Sequence, residues 1–327
     1  MTAKPIRRYD FDWLKVLATL AVFFFHCARF FDLGEWHTKN NQLSVEMTTL
    51  TDFTSLWIMP LFFTLSGTSI HFALSFRNPR QFIQQRVTRL LIPLIFGILI
   101  LIPPQVYIER LGDPEQSVAF QGMPPFSGSF VEFYPEYFQG WYAFGGNFAW
   151  MGLHLWYLLM LFGFSLLTLP LFGFLNRSTG QMLITQLAAL CKTFSILLVL
   201  GLPIALLETA LDPETLLGTH IFGGWALPTY LIFLICGYLI VADRQFELVI
   251  QRNSTSALIL AILTTLLLFL THEQFTAPPA EALFRGLRAF NAWFWVVVIL
   301  VRTFLWGGGT APQKCPCPNL TDYGYTT

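Results

Sequence analysis

Long apolar stretches recur along the whole chain, separated by shorter polar connections. Eight of them approach the length of about 20 apolar residues that an α-helix needs to cross a bilayer. They cover residues 13–31, 55–76, 90–108, 152–174, 184–207, 225–242, 256–271 and 289–306. The pattern therefore predicts an all-α fold, a polytopic transmembrane bundle of about eight helices within residues 1–306. The polar, Gly- and Pro-rich residues 307–327 are expected to form a divergent tail.

Composition supports this assignment to the membrane. Of the 327 residues, 54% are hydrophobic and only 12% are charged, whereas soluble domains carry about 25% charged residues. The formal net charge is zero and no long basic run occurs, so we expect no nucleic-acid partner. The first apolar stretch is 19 residues long, and the bulky sequence CARFFDLGEW follows in place of a small-residue cleavage site, which favours a retained helix over a signal peptide.

The distribution of lysine and arginine predicts the orientation of the bundle. Basic residues cluster before the first span and between the second and third spans, at Lys4, Arg7, Arg8, Arg77, Arg80, Arg86 and Arg89. Because cytoplasmic connections are enriched in these residues, the N-terminus is expected in the cytoplasm. Arg285 and Arg288 conflict with this alternation, since they fall in a connection that would lie outside. We expect them to fold back against the protein.

The connection between the third and fourth spans is unusually aromatic. Twelve of the 31 residues from 120 to 150 are Phe, Tyr or Trp. Membrane proteins commonly carry a belt of aromatic residues at the bilayer surface, and this interpretation is favoured for most of them. A few of these rings are expected to form a lid over a binding site.

Two polar residues stand inside the first apolar stretch, Lys15 and His26. Eleven residues at about 100° each make roughly 1,100°, or three turns and 20°, so the two side chains share one helix face about 16.5 Å apart. Lys15 lies near a helix end, where it can extend to the membrane surface or pair with Asp12. His26 lies well inside the span, where an ionisable residue indicates function by default, although a structural histidine remains an alternative.

Further polar residues in the spans are weaker candidates. His154 is expected at a depth similar to that of His26, and Trp156 beside it serves either as an interface anchor or as a pocket wall. Ser66 precedes Gly67, and small residues of this kind allow helices to approach closely. His71 follows toward the cytoplasmic side and has a lower prior for function than His26.

The arginines that lead into the third span allow two interpretations. Arg86 and Arg89 are explained by orientation of the protein alone. They would also suit recognition of a phosphorylated ligand, because the guanidinium group presents a planar fork of donors. The residues themselves do not separate the two interpretations.

No metal site is predicted. Cys315 and Cys317 form a lone C-P-C without a second pair of ligands at zinc spacing. The chain also contains no Walker, GxSxG or HExxH motif, so the corresponding soluble NTPase and hydrolase classes are not supported.

Four stretches in this order resemble the acyltransferase type 3 family of bacterial membrane proteins. They are RRYDFDWLKVLATLAVFFFH in the first span, MPLFFTLSG in the second, QFIQQRVTRLLIPLIFG leading into the third, and HLWYLLMLFGFSLLTLPLF in the fourth. The stretch PPQVYIERL looks typical of one subgroup. The resemblance runs from about residue 8 to residue 300, and Lys15 stands where the family more often has arginine.

The resemblance implies transfer of an acyl group from cytoplasmic acyl-CoA, with acetyl-CoA expected, to a hydroxyl of a glycan, lipid or small molecule. It implies a location in the bacterial cytoplasmic (inner) membrane and assigns His26 as general base. Lys15, Arg86 and Arg89 would then bind the CoA phosphates, and His154, Trp156, Ser66 and His71 are possible pocket residues. The family usually has ten helices, so the present pattern predicts a shortened or divergent C-terminal end.

Two other functions stay open at this stage. One is a membrane transporter or flippase without catalysis, in which the intramembrane His and Arg residues line a pathway. The other is an inactive, truncated acyltransferase.

Overall fold

The structure is a computed structural model that describes residues 8–112, 124–142, 144–271 and 278–307. Within these residues the chain is all-α and contains no strand, only an isolated bridge between Trp141 and Phe148. The helices are α1 (Tyr9–Arg29), α2 (Val45–Ser55), α3 (Ile58–Leu74), α4 (Pro79–Leu111), α5 (Phe130–Glu136), α6 (Leu153–Leu167), α7 (Leu169–Leu175), α8 (Ser178–Phe194), α9 (Ile196–Ala210), α10 (Leu227–Ala242), α11 (Arg244–Arg252), α12 (Ser254–Thr271) and α13 (Pro278–Gly307).

The helices confirm a multi-pass membrane bundle. Among the described residues, five helices are long and apolar enough to cross a membrane: α1, α2 with α3, α4, α12 and α13. Three bent pairs raise the number to eight if each pair forms one span. These pairs are α6 with α7 at 49°, α8 with α9 at 118°, and α10 with α11 at 105°. The expected number of about eight spans is therefore met.

The straight span that hydropathy predicts over residues 184–207 is wrong in detail. The chain turns sharply between α8 and α9, at Ser195, whose φ is +75°. A non-glycine residue rarely adopts this left-handed conformation. The Ser195 hydroxyl donates a hydrogen bond to Asn253 Oδ1 at 2.8 Å, which ties the bend to the end of α11. Hydropathy reports how apolar a stretch is, and it carries no information on such a bend.

Helices α3 and α10 pack with their backbones in close contact, and glycines make this possible. A Cβ atom at Gly67 would lie 1.9 Å from the Leu234 carbonyl oxygen, and one at Gly237 would lie 1.9 Å from that of Thr64. No side chain fits at either position. The close approach expected at Gly67 is confirmed. Small residues are common where membrane helices meet, because these helices associate by close packing and not by the hydrophobic effect.

The aromatic connection folds into a small core on the end of α4. Ile102 and Val106 of α4 pack against buried Phe133, Tyr137 and Tyr142. Other rings of the same segment stay exposed, among them Trp141 and Phe144. The described part of this connection is thus a folded cap, and its residues 113–123 and 143 lie outside the described residues.

Helix α4 departs from regular α-helical geometry in two places. Residues Val87–Leu91 and Gly97–Leu101 are π-helical, a geometry that often marks functional sites. A Cβ atom at Gly97 would lie 2.1 Å from Leu155 Cδ1. Glycine therefore lets α4 pack directly against the turn that carries His154.

Helix α13 begins earlier than the span predicted over 289–306 and includes both unexpected arginines. Arg285 donates to Glu281 Oε1 at 3.0 Å and to the Glu208 carbonyl oxygen at 3.4 Å. Arg288 is directed to the Trp225 ring. The expectation that both residues fold back against the protein is confirmed. The side chain of Arg302 and the tail beyond Gly307 lie outside the described residues.

Candidate active site

A cavity of about 390 Å³ lies at the C-terminal end of α1. Its walls come from α1, α2, α3, α6, α13 and the connections at 30–44, 137–152 and 220–224. His26, His154 and Trp156, all predicted as site residues, line it together. Residues that are far apart in the sequence therefore meet in one cavity that is large enough for a small ligand or part of a larger one.

His26 is placed at the centre of a group of rings. Its ring centroid lies 4.8 Å from that of His154 and 5.8 Å from that of Trp36. Trp36 in turn stacks on His154 at 5.7 Å with an angle of 24° between the rings. The Nδ1 atom of His26 is buried and finds no hydrogen-bond partner among the described residues. A buried polar atom without a partner is costly, and a bound ligand group would satisfy it.

One wall of the cavity is fixed by an ionic network. The Arg29 guanidinium lies 4.6 Å from the centre of the Trp36 ring and forms an ion pair with Asp32. Asp32 also pairs with Lys39 and accepts a hydrogen bond from Thr51 at 3.0 Å. The network ties the connection after α1 to α2, so Trp36 is held in position over the histidines.

A second polar group reaches the cavity from the aromatic cap. His37 Nδ1 lies 2.8 Å from Tyr142 Oη and 3.3 Å from Glu109 Oε1. The Tyr142 hydroxyl donates to the Glu109 carboxylate at 2.9 Å. Burial, the negative charge of Glu109 and this hydrogen bond raise the pKa of the Tyr142 phenol. The hydroxyl therefore keeps its proton and remains a donor.

Helix α13 adds a cation to the cavity. Arg288 lines the cavity, and its guanidinium lies 4.2 Å from the centre of the buried Trp225 ring. Glu208 on α9 is also buried; it pairs with His220, with Nε2 and Oε1 2.8 Å apart, and accepts a hydrogen bond from Thr229. Buried charges of this kind are retained at a cost and are concentrated at functional sites.

Lys15 does not reach the cavity. Helix α1 is continuous from Tyr9 to Arg29, so Lys15 and His26 lie along one helix as the spacing predicts. The α1 residues of the cavity wall begin only at Val22. Lys15 Nζ is half-exposed and lies 3.8 Å from Asp12 Oδ1, as expected for an i, i+3 pair.

Arg86 and Arg89 also lie away from the cavity and differ from each other. Arg86 packs over the Phe82 ring at 4.6 Å, and its Nε is buried without a hydrogen-bond partner among the described residues. Arg89 is exposed. The Arg86 side chain is therefore partly removed from solvent and held against Phe82, whereas the Arg89 side chain lies on the surface.

The two remaining candidates belong to the packed interior. The Ser66 hydroxyl forms a hydrogen bond with the Tyr157 hydroxyl, which connects α3 to α6. The His71 ring packs edge-on against Tyr238 at 4.9 Å, and its Nδ1 is buried without a partner among the described residues. Neither residue lines the cavity. Their assignment as pocket residues stays a prediction.

No cluster of three or more His, Cys, Asp or Glu residues suited to a metal ion occurs in the part of the chain that the structure describes. Cys315 and Cys317 lie outside that part.

The sequence pattern does not single out four residues of the site, Arg29, His37, Glu109 and Tyr142. Glu109 carried a usable signal, because it is an acidic residue at the end of an apolar stretch. His37 and Tyr142 lie in irregular connections, where no periodicity indicates the direction of a side chain.

Comparison with known proteins agrees with this architecture. No curated protein and no solved structure shows significant similarity to the chain. The family model described as an acyltransferase domain matches residues 8–314, nearly the whole chain. The protein therefore belongs to the acyltransferase type 3 family and is a membrane acyltransferase.

Proposed function

We propose that the protein transfers an acyl group from cytoplasmic acyl-CoA, acetyl-CoA being expected, to a hydroxyl of a glycan, lipid or small molecule. The observation that carries this proposal is His26, which lines the cavity and has a buried ring nitrogen without a hydrogen-bond partner among the described residues. A membrane acyltransferase needs a base where water is scarce, and histidine is the side chain most often used for this purpose.

The reaction requires one base and no external proton. Neutral His26 takes the proton from the acceptor hydroxyl as its oxygen bonds to the thioester carbonyl carbon. The carbon–sulfur bond then breaks, and the CoA thiolate recovers the proton as it leaves. The products are an ester and free CoA thiol. Attack by His26 itself, with an acyl-histidine intermediate, is an alternative within the same proposal.

The CoA moiety is proposed to bind at the Lys15 end of α1. Lys15, Arg86 and Arg89 supply three positive charges for the phosphates. Arg86 is the best placed of them, because its half-buried guanidinium can form charge-assisted hydrogen bonds in a partly desolvated environment. The distance of about 16.5 Å from Lys15 to His26 along the helix suits a long donor whose thioester lies far from its phosphates.

The proposed donor site also implies an orientation of the protein in the membrane. We propose a bacterial cytoplasmic (inner) membrane protein with a cytoplasmic N-terminus, so that Lys15 faces the compartment that contains CoA. The basic residues before α1 and around α4 support this topology. The His26 cavity then lies in the outer half of the membrane, and its aromatic walls suit an acceptor that presents both apolar and hydroxyl groups.

The test separates catalysis from transport. Purified protein in lipid nanodiscs is incubated with acetyl-CoA and with glycan or lipid extracts of the producing cells. Thiol release is recorded, and acetylated products are identified by mass spectrometry. We expect thiol release with matched acetylation for the native protein, and a loss of at least about 100-fold for His26→Gln.

Tyr137→Phe is the control, because Tyr137 is fully buried in the aromatic cap, where its hydroxyl donates to the Ile98 carbonyl oxygen at 2.9 Å, and it does not line the cavity. It is expected to keep near-native turnover. Undiminished transfer by His26→Gln would contradict the proposed base. Movement of an acceptor across a membrane without thiol release would instead favour a transporter, and no thiol release and no movement would favour an inactive protein.

A further inference from the structure

Three arginines in or near the cavity differ in what holds their side chains. Arg29 lines the cavity, but its guanidinium is already paired with Asp32. Arg285 does not line the cavity, and it donates to Glu281 and to two carbonyl oxygens. Arg288 lines the cavity, and its guanidinium forms no hydrogen bond or ion pair within the described residues. The side chain is half-buried and opens on the cavity, so a ligand can reach its donors.

The Arg288 guanidinium is held between a ring and a backbone turn. It lies 4.2 Å from the centre of the Trp225 ring, which is fully buried. Gly224 is a second neighbour, with a φ of +82°, and a Cβ atom added there would lie 3.0 Å from Arg288 Nη2. Glycine adopts this conformation without strain and leaves room for the guanidinium. The group is thus preorganised, which lowers the entropic cost of binding a ligand.

Orientation of the protein does not explain a cation at this position. In the predicted topology Arg288 lies on the outer side, where the rule that cytoplasmic connections are basic gives no reason for an arginine. Arginine stays protonated and presents five N–H donors. Charged groups at membrane depth are expensive and are typically kept for function. An oxyanion on a ligand would supply the acceptors that the described residues do not.

Two carboxylates act on Arg288 electrostatically without forming an ion pair with it, Glu208 and Asp52. Glu208 is buried and is held by His220 and Thr229. Asp52 lines the cavity and is exposed. Both carboxylates repel an anion, so a bound oxyanion depends on direct contact with the guanidinium and not on attraction at long range. The planar fork of donors suits such contact, because it can form two parallel hydrogen bonds with one carboxylate or phosphate.

We propose that Arg288 binds an oxyanion, a carboxylate or a phosphate, that belongs to the acceptor whose hydroxyl His26 activates. This inference rests on the proposed function, and it narrows the acceptor to an acidic glycan, lipid or small molecule. The donor phosphates are proposed to bind at the Lys15 end of α1, away from this cavity. The anion at Arg288 is therefore assigned to the acceptor.

The size of the cavity adds a constraint on the acceptor. Its volume of about 390 Å³ is near the lower end of the range of ligand sites, about 300–1,000 Å³. His26 and Arg288 line the same cavity. The reacting hydroxyl and the acidic group therefore lie close together in the acceptor.

The first test measures binding and does not depend on turnover. Methyl glucoside, methyl glucuronide and methyl glucoside 6-phosphate share a sugar ring and differ at one position. Their affinities for the native protein in lipid nanodiscs are measured by saturation-transfer NMR titration. We expect at least one of the charged compounds to bind about 10-fold or more tightly than methyl glucoside, because a hydrogen bond between charged groups is strong. The tighter of the two identifies the oxyanion as a carboxylate or a phosphate.

Variants assign the preference to Arg288. Arg288→Gln should bind all three compounds with similar affinity. Arg288→Lys should keep part of the preference, because it retains the charge and loses the fork of donors. Arg285→Gln is the matched control, since Arg285 lies on the preceding turn of α13 but is already paired and does not line the cavity. It should keep the native preference.

Two results would overturn the inference. One is equal affinity of the native protein for the three compounds, a comparison that needs no variant and holds even where a variant fails to fold. The other is an equal loss of preference in Arg288→Gln and Arg285→Gln, which would show that α13 as a whole, and not Arg288, is responsible.

The second test places the oxyanion on the acceptor or on the donor. Acetylation of the acceptors in cell extract by acetyl-CoA is measured with each of the three compounds added. The preferred charged compound should inhibit at a concentration about 10-fold or more below that of methyl glucoside, and Arg288→Gln should remove the difference. More extract should relieve the inhibition, whereas more acetyl-CoA should not. Relief by acetyl-CoA alone would place the oxyanion on the donor and overturn the assignment to the acceptor.

The outcomes separate this inference from the proposed function. If the native protein releases no thiol but prefers a charged compound through Arg288, the proposed function fails and the oxyanion site stands. If it acetylates an acceptor but binds the three compounds alike, the proposed function stands and this inference fails.

Discussion

The two ends of helix α1 are organised in opposite ways. Around His26, rings and charged side chains from distant parts of the chain converge in one cavity. The cations proposed to bind the donor differ from this cavity: Lys15 is half-exposed beside Asp12, and Arg89 is exposed. Arg86 is half-buried and packs on the Phe82 ring.

This contrast follows from the cost of placing polar groups in an apolar environment. Cations near the membrane surface cost little, because their long side chains reach water. An imidazole inside a span has no such route and must be satisfied by neighbours or by a ligand. The His26 end is therefore prepared in advance for one kind of chemistry. In the proposed function, the Lys15 end supplies charge for the donor phosphates.

The largest effect is expected from the scaffold that both ends share. Gly67→Ala places a Cβ atom 1.9 Å from the Leu234 carbonyl oxygen and forces α3 away from α10. Backbone atoms cannot move aside as a flexible side chain would. We expect almost complete loss of folded protein, measured as the monodisperse fraction in size-exclusion chromatography with fluorescence detection.

Gly163→Ala is the control for this change. Gly163 lies in α6, and a Cβ atom there would meet nothing within 4 Å. Alanine is also the better helix former by about 1 kcal/mol, so folded yield should be native or higher. Native yield for Gly67→Ala would show that the α3–α10 contact is not the common support of the two ends.

A medium effect is expected from Arg86, the half-buried cation proposed to bind the donor. Arg86→Gln should raise KM for acetyl-CoA about 10-fold or more and leave kcat unchanged, since a hydrogen bond to a charged group contributes about 1.5–3 kcal/mol. Arg89→Gln, at an exposed site, should raise KM less, and its effect should fade at high salt because exposed charges are screened. Equal, salt-insensitive effects would remove the distinction between the two arginines.

The smallest effect is expected at Lys15. Lys15→Gln should raise KM for acetyl-CoA only about 2- to 5-fold, because an exposed ion pair contributes about 1 kcal/mol or less. Lys15→Arg should retain or improve donor binding through the fork of guanidinium donors. A fall in kcat for Lys15→Gln, measured in the same thiol-release assay, would mean that the two ends of α1 do not divide binding and chemistry between them.

The sequence predicted the features that follow from regular helix geometry. Lys15 and His26 lie on one uninterrupted helix, because α1 contains no residue that breaks it. His26 and His154 meet, as the similar depth expected of them predicts. His26 lies in the last turn of α1, however, and not well inside the span as the apolar stretch 13–31 suggests. The close approach at Gly67 was also expected, since only the absence of a side chain permits it.

Features that depend on irregular backbone could not be predicted. The bend at Ser195 depends on a left-handed residue held by Asn253. His37 and Tyr142 belong to connections without periodicity, and they meet only because the aromatic cap folds onto α4. The sequence shows that Arg288 conflicts with the predicted orientation of the bundle. Its position in the cavity depends on α13 beginning at Pro278, which hydropathy does not predict.

The central claim is that the His26 end performs chemistry and the Lys15 end holds the donor. The most direct test compares His26→Gln with the native protein in two measurements: equilibrium binding of a non-hydrolysable acetyl-CoA analogue, and the rate of a single turnover. We predict native donor affinity within about twofold and a rate at least about 100-fold lower. A native rate, or loss of donor binding as large as the loss of rate, would contradict this division of the molecule.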